Sequence, residues 1–459
     1  MIQRDTQKKS PFPGKSSVPA GTNRRQNGGN SCRAAFILRA ALFLLVLWSQ
    51  AVPPALTAAE ISLPKLELGS RGRMSGGEFV LSSVINADIA LSGGYKYSFL
   101  LGFSLEAADI ARAFAYRNFK VGILAWDPVT GPDMDLLLER YNALADRLNN
   151  QAFLGFRIAK ATARDIFGLP LELSWFLGSG DDFCTGGEFT TRYGLSPIGT
   201  DFRGFFYFPD GIGGMPLRQY NGIYGVRGTG LSLTLTRWDT ITPMLYLYQD
   251  FAYTPETINP DGSVNPGSVF GDKHLYSGDL RMLFRKGWLN LEAFGGVSLN
   301  SSLDTSLRLG LMVHIAPGNG AEFFAQAGIP GWTAGDTFSI DNIFFLIEPR
   351  LHFGLLGIFV TFFYHPVEYI HVLTPEERGK ADMNIKFRYG KADSGAAGGI
   401  ELRGNLKLDG PQDFTFQLSP FVSFISGGLR WDAKFLVTPQ NYRTPEEMFE
   451  IFIGVRTAF

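Results

Sequence analysis

The chain has 459 residues, with 42 Lys and Arg against 43 Asp and Glu, 54 Gly, 40 Phe, 16 Tyr, 7 Trp and two Cys. That length suits two or three ordinary domains or one large all-β domain, and a net charge of -1 leaves no basic surplus for nucleic acid. Two cysteines without CxxC or CxxH spacing provide neither a disulfide framework nor a zinc site, and no cofactor is expected.

Residues 1–33 are rich in Ser, Pro, Gly, Asn and basic side chains, with too few apolar groups to order a segment. Arg39 then precedes the apolar run 40–48, followed by Pro53, Pro54 and the small residues Thr57, Ala58 and Ala59. This is the order of a secretory signal peptide. A nine-residue run is too short to anchor in a hydrocarbon core of about 30 Å. The expected organisation is a leader over 1–59 and a mature domain over 60–459. Cys32 lies ahead of the apolar run and cannot be a lipidation site at the mature N-terminus. The mature domain carries 34 Lys and Arg against 42 Asp and Glu, and its single thiol, Cys184, is expected to be an inert loop residue.

Two-residue alternation dominates the mature domain. Met383, Ile385, Phe387 and Tyr389 alternate with Asp382, Asn384, Lys386 and Arg388, and after a Gly/Ser/Ala turn Ile400 and Leu402 alternate with Glu401 and Arg403. Leu429, Trp431, Ala433, Phe435 and Val437 likewise oppose Arg430, Asp432 and Lys434, and Leu307, Leu309, Leu311 and Val313 oppose Arg308 and His314. Successive strand side chains point to opposite faces, so each strand is expected to have one apolar and one polar face. Strands of a soluble sandwich run about five or six residues, whereas these run about 9–13, the length a tilted strand needs to cross a bilayer. Backbone polar groups in lipid must all be paired, so such strands must close into a barrel.

Eighteen strands are predicted, at 79–91, 94–105, 118–126, 152–160, 170–178, 222–237, 241–251, 273–285, 287–299, 305–316, 321–328, 342–353, 357–366, 381–389, 399–408, 413–424, 428–437 and 448–459. The fold class is therefore all-β, a transmembrane antiparallel up-and-down barrel of about 18 strands (about 16 to 20). Whether 60–70 adds another strand is left open. Short turns near 286, 318, 355 and 427 alternate with longer connections near 127–150, 179–219, 252–272, 329–341, 366–380 and 438–447, matching periplasmic turns and outer loops. Segments 107–117 and 133–148 have helical spacing.

The last strand places Phe449, Ile451, Ile453, Val455 and Phe459 on one face and Glu450 and Arg456 on the other. A terminal Phe preceded by apolar residues at two-residue steps resembles the final strand of bacterial outer-membrane barrel proteins. The resemblance implies residence in the outer membrane among its lipids. It also implies that these five apolar residues are the signal taken up by the barrel-assembly machinery. No family within that class is indicated.

The polar face is the candidate functional surface. It holds Arg281, Glu292, Arg308, Glu348, Arg350, Asp382, Lys386, Arg388, Glu401, Arg403, Lys407, Arg430, Asp432, Lys434, Glu450 and Arg456 as expected pore-lining residues, with Asp279 and Glu322 beside them. Near-balance of sign suits electrostatic bracing between strands and equally a charged wall that selects ions or solutes. Loop 179–219, with eight aromatic residues, is expected to fold partly into the lumen. Barrels of 16 to 18 strands leave an aqueous channel, so the expected function is porin-like diffusion or uptake of small polar solutes and not enzymatic. The alternative is a non-conducting barrel serving as adhesin, structural protein or membrane hydrolase. On this pattern Leu309→Arg should cost about 2–4 kcal/mol, and Arg308→Leu far less.

Overall fold

The computed structural model describes residues 60–75, 78–107, 119–121, 152–195, 198–201, 222–250, 257–258, 264–265, 275–299, 305–364, 380–391, 395–407, 414–444 and 448–457. The assigned leader, the predicted helix over 133–148 and all but residue 107 of the one over 107–117 lie outside this set, as do His274, His365, His371 and Phe459.

Eighteen strands form the wall. They are β1 (Glu60–Ser75), β2 (Glu78–Gly93), β3 (Tyr97–Ala107), β4 (Ala152–Arg164), β5 (Leu171–Phe183) and β6 (Tyr224–Leu235). Then come β7 (Ile241–Asp250), β8 (Leu275–Lys286), β9 (Leu289–Leu299), β10 (Thr305–Ile315), β11 (Ala321–Thr333) and β12 (Phe344–Phe353). The wall ends with β13 (Leu356–Tyr364), β14 (Lys380–Gly390), β15 (Ala396–Lys407), β16 (Phe414–Ser426), β17 (Leu429–Val437) and β18 (Phe449–Thr457). Each pairs antiparallel with its neighbours in sequence, and β1 pairs antiparallel with β18 from Glu67↔Arg456 to Arg73↔Glu450. The sheet closes on itself, so no wall strand is left with an open edge.

Both termini of the wall lie at one end. Connections at that end are short, such as the turns at Gly94, Gly287, Gly354 and the Gly427–Gly428 pair, each with glycine at positive φ. The opposite end carries the long connections 108–151, 184–223, 251–274 and 365–379, although 76–77 and 300–304 are short there too. By the rule for such barrels the short-turn end is periplasmic.

Two strand assignments change. Of the predicted strand 118–126 the structure describes 119–121, which form a three-residue parallel ladder against the start of β4 and are not a wall strand. The eighteenth wall strand is instead β1, left undecided by sequence because Pro64 breaks its register with β2 between Ser62 and Lys65. Proline cannot donate to a ladder, and Gly69 and Gly72 thin the alternation further.

The outward face is apolar over most of the wall, with Leu280, Leu309, Met383 and Ile453 all at least half exposed. Exposed aromatics stand toward both rims: Tyr95, Trp238, Trp288, Phe353 and Tyr389 at the short-turn end, and Tyr276, Phe414 and Phe449 at the other. Such girdles sit at the two lipid–water boundaries. Among the described residues no helix is long and apolar enough to cross a membrane; the crossing is made by strands.

Candidate functional site

Directly opposed residues of an antiparallel pair share a face, so the register places the interior. Lys386 faces Glu401, Arg403 faces Gln417, Arg430 faces Arg456, and Phe324 faces Glu348. Arg281, Glu292, Arg308, Glu348, Arg350, Asp382, Lys386, Glu401, Arg403, Asp432 and Lys434 are all buried on this inward face. Arg430, Glu450 and Arg456 retain 18%, 21% and 23% side-chain exposure. Lys407 occupies an inward register position opposite Lys380. Arg388 lies over the Phe359 ring, 4.7 Å from its centroid.

These charges are organised into compact groups. Arg308 donates to Asp279 at 2.6 and 2.9 Å, Arg281 meets Glu292 at 2.8 Å, and Arg350 meets Glu348 at 2.7 Å. Glu401 accepts from three cations: Arg403 at 2.5 Å, and Lys386 and Lys434 at 3.2 Å each. Asp432 takes Arg430 at 3.0 Å and Arg456 at 3.7 Å. Several of these pairs are two residues apart in one strand, the spacing that returns side chains to the same face. Arg71 and Glu450 bridge the β1–β18 seam at 2.6 Å. A bulge in β4 leaves Arg157 opposite no residue of β3 and brings its guanidinium onto Asp88, the re-aiming that bulges provide.

The inward face is not uniformly polar. Met244, Leu283, Phe294, Met312, Phe324, Phe344, Leu346 and Phe363 form a buried apolar sector on β7–β13. This corrects the expectation of a polar inner face on every strand. The covering material includes residues 184–195 and 198–201 of the connection after β5, which enter the lumen. The chain turns at Cys184 in the left-handed region (φ 62), an uncommon conformation for a residue with a Cβ. Its N–H donates to Glu292 at 2.5 Å, and its carbonyl accepts from Gln326. Residues 179–183, read from sequence as the start of the loop, are the end of β5.

A short helix, α1 (Gly187–Tyr193), follows, with Phe189 fully buried against the apolar sector. Gly186 precedes it at φ 80, where a Cβ would lie 2.9 Å from Ile198, so only glycine fits. Arg192 ties α1 to the wall through Glu172 at 3.2 Å, and Tyr193 hydroxyl pairs with Thr242 at 2.7 Å. Burial works against the Arg192 charge, but Glu188 and Glu172 outweigh it and hold the guanidinium above its ordinary range.

Residues 198–201 are fastened at a second point. Glu348 accepts from the Thr200 hydroxyl, from the Asp201 N–H at 3.2 Å and from Thr361 at 2.9 Å. Arg350 donates to Gly199 carbonyl at 2.6 Å, and Lys386 meets Asp201 at 2.9 Å. Ile223, fully buried, closes the sector where Gly310 and Gly328 oppose each other. A Cβ on Gly310 would lie 2.4 Å from the Phe294 ring and 2.9 Å from Ile223.

Sequence reasoning missed this sector and both anchors. The signal was present: Phe294, Met312, Phe324 and Leu346 sit at polar-face positions of their strands. Apolar residues there mark a wall that something packs upon.

A closed wall of 18 antiparallel strands, apolar without and charged within, defines a porin-like transmembrane β-barrel of the outer-membrane type. No protein-family model matches the sequence, and no curated protein is significantly similar to it. Solved structures similar to it include OccAB2 of Acinetobacter baumannii, at 10% identity over 88% of this chain and 99% of that one, with a TM-score of 0.48. OccK8 (OprE) of Pseudomonas aeruginosa gives 10% identity over 87% and 97%, with a TM-score of 0.45. A BenF-like porin from Pseudomonas fluorescens Pf-5 gives 9% identity over 87% and 98%, with a TM-score of 0.42.

Proposed function

We propose that the protein is a porin-like channel of the outer membrane through which small polar solutes diffuse, narrowed by the segment 184–201. The carrying observation is the division of the interior. The inserted segment leans on the apolar sector of β7–β13, and the charged sector of β14–β18 continues across the seam to Arg71. An 18-strand wall is wide enough for an aqueous path. A path bounded by paired charges keeps water and discriminates solutes by charge. The pore-lining roles of the inward charges belong to this proposal. The two described histidines face Asn290, Glu322 and Arg350, a charge cluster, which favours a channel over a hydrolase built on a Ser–His pair.

The C-terminal strand presents Phe449, Ile451 and Ile453 outward, at 42%, 41% and 50% exposure, in keeping with uptake of that strand by the barrel-assembly machinery. A chain ending before residue 449 would then accumulate outside the membrane.

The test is single-channel recording of the refolded barrel in a planar bilayer under a salt gradient. Steady ion-selective steps are expected. Glu348→Gln, which weakens the second anchor, should enlarge the steps or make them flicker. A folded barrel without conductance would overturn the channel and leave an adhesin or enzyme.

A further inference from the structure

Near the short-turn end of the lumen, adjacent strands gather a cluster of which only Arg350 also anchors the inserted segment. His314 lies near the end of β10, Glu322 at the start of β11, and Arg350 and His352 near the end of β12. The two oxygens of Glu322 are divided between the imidazoles: His314 Nε2 is 3.8 Å from one, and His352 Nε2 is 3.6 Å from the other. Neither Nε2 atom makes a hydrogen bond, although His314 is only 4% exposed. Arg350 lies 3.5 Å from Glu322 but 2.7 Å from Glu348, so its charge is committed mainly to Glu348.

The surroundings are accounted for strand by strand. From β9, Asn290 faces His314 Nδ1 at 3.2 Å, and opposite Asn290 on β8 is Arg285, whose guanidinium lies over Tyr193 of α1. Beside His352, β13 presents Phe359 edge-on at 5.5 Å, and Arg388 of β14 covers that same ring. Protonation of both imidazoles adds two positive charges to a cluster in which Arg285, Arg350 and Arg388 stand around Glu322 and Glu348.

We infer that His314 and His352 are a proton-sensing pair that adds fixed positive charge at the periplasmic mouth as pH falls and so shifts the ion selectivity of the channel toward anions. The inference rests on the channel proposed above. Imidazoles titrate between about pH 5 and 8, within the range an envelope compartment meets. A fixed charge in a low-dielectric cleft changes the local ion population by about threefold for each kT of potential.

The experiment is the reversal potential of the refolded barrel in a potassium chloride gradient at pH 7.5 and pH 5.0. The parent should move toward anions, its anion-to-cation permeability ratio rising by about threefold or more. His314→Gln with His352→Gln should remove most of that response, and each single substitution about half. Glu322→Gln should already prefer anions at pH 7.5. The single variants keep the test usable if the double variant folds poorly. Channels whose selectivity ignores pH, or a double variant that responds like the parent, would overturn the inference and leave the channel standing. No conductance at either pH would overturn both.

Discussion

Arg308 and Leu309 are neighbours in β10 on opposite faces, and together they test how dry the inner wall is. Alternation alone makes Arg308→Leu a mild change, a solvated lumen residue traded for an apolar one. The contacts say otherwise. Arg308 is 4% exposed, donates twice to Asp279, reaches Ser298 and the Tyr248 hydroxyl, and stacks on Tyr224 with 4.4 Å to the ring centroid. Its removal leaves Asp279, 1% exposed, with the Tyr248 hydroxyl at 2.8 Å but without its cation. Breaking a buried ion pair by deleting one partner costs about 3–5 kcal/mol. Leu309 is 52% exposed toward lipid, and an arginine near mid-membrane costs about 2–4 kcal/mol. The two substitutions should therefore destabilise comparably, each for its own reason. Adding Asp279→Asn should rescue a large part of the Arg308→Leu loss and none of the Leu309→Arg loss. Urea titration of the barrel folded in lipid vesicles, followed by tryptophan fluorescence, measures the parent and all four variants. An Arg308→Leu variant within about 1 kcal/mol of the parent, the scale of an exposed ion pair, would refute the argument.

Glu401 is fully buried among three cations; Glu401→Gln should cost about 3–5 kcal/mol in the same titration, and Lys434→Met added to it should restore part of that. The Cys184 thiol is pushed well up by burial and by Glu292, against the opposing pull of Arg281, so native protein should resist maleimide labelling even at pH 9 while urea-unfolded protein reacts at once. Because the unfolded thiol ionises near pH 8.5 and the native one does not, the unfolded state binds fewer protons above that pH. Stability should then fall as pH rises through the alkaline range, and Cys184→Ser should lose that part of the dependence. Gly310→Val puts methyl groups into the space held by Phe294 and Ile223 and should cost about 1–3 kcal/mol, with altered conductance from a displaced segment.

Period-two alternation was enough to find the wall from β8 to β18, because long apolar faces meeting lipid leave an unmistakable pattern in residues such as Leu307, Leu309 and Leu311. It failed where the pattern had another cause. β1 is blurred by Pro64 and two glycines, and within 118–126 the described residues 119–121 make a parallel ladder to the start of β4 and no antiparallel wall pairing. The inward charges were legible as a set, since spacing of two fixes their face. Their partners were not, because contacts such as Glu348 with Thr200 join residues 148 positions apart. Cys184 looked like an idle loop residue; its side chain is buried, and its backbone is where the chain turns inward.

The seam between β1 and β18 joins the first and last strands of the wall, with Arg71 bonded to Glu450 across 379 positions of sequence. Every other wall pairing can form as its hairpin emerges, yet this one must await delivery of the final strand. Until then β1 offers a row of open backbone donors and acceptors, the kind of template that recruits foreign strands. The newly exported chain is therefore at its most vulnerable just before completion. Its survival depends on the time between export of residue 75 and arrival of residue 449, so a slower export rate should raise losses to aggregation even with an unchanged sequence.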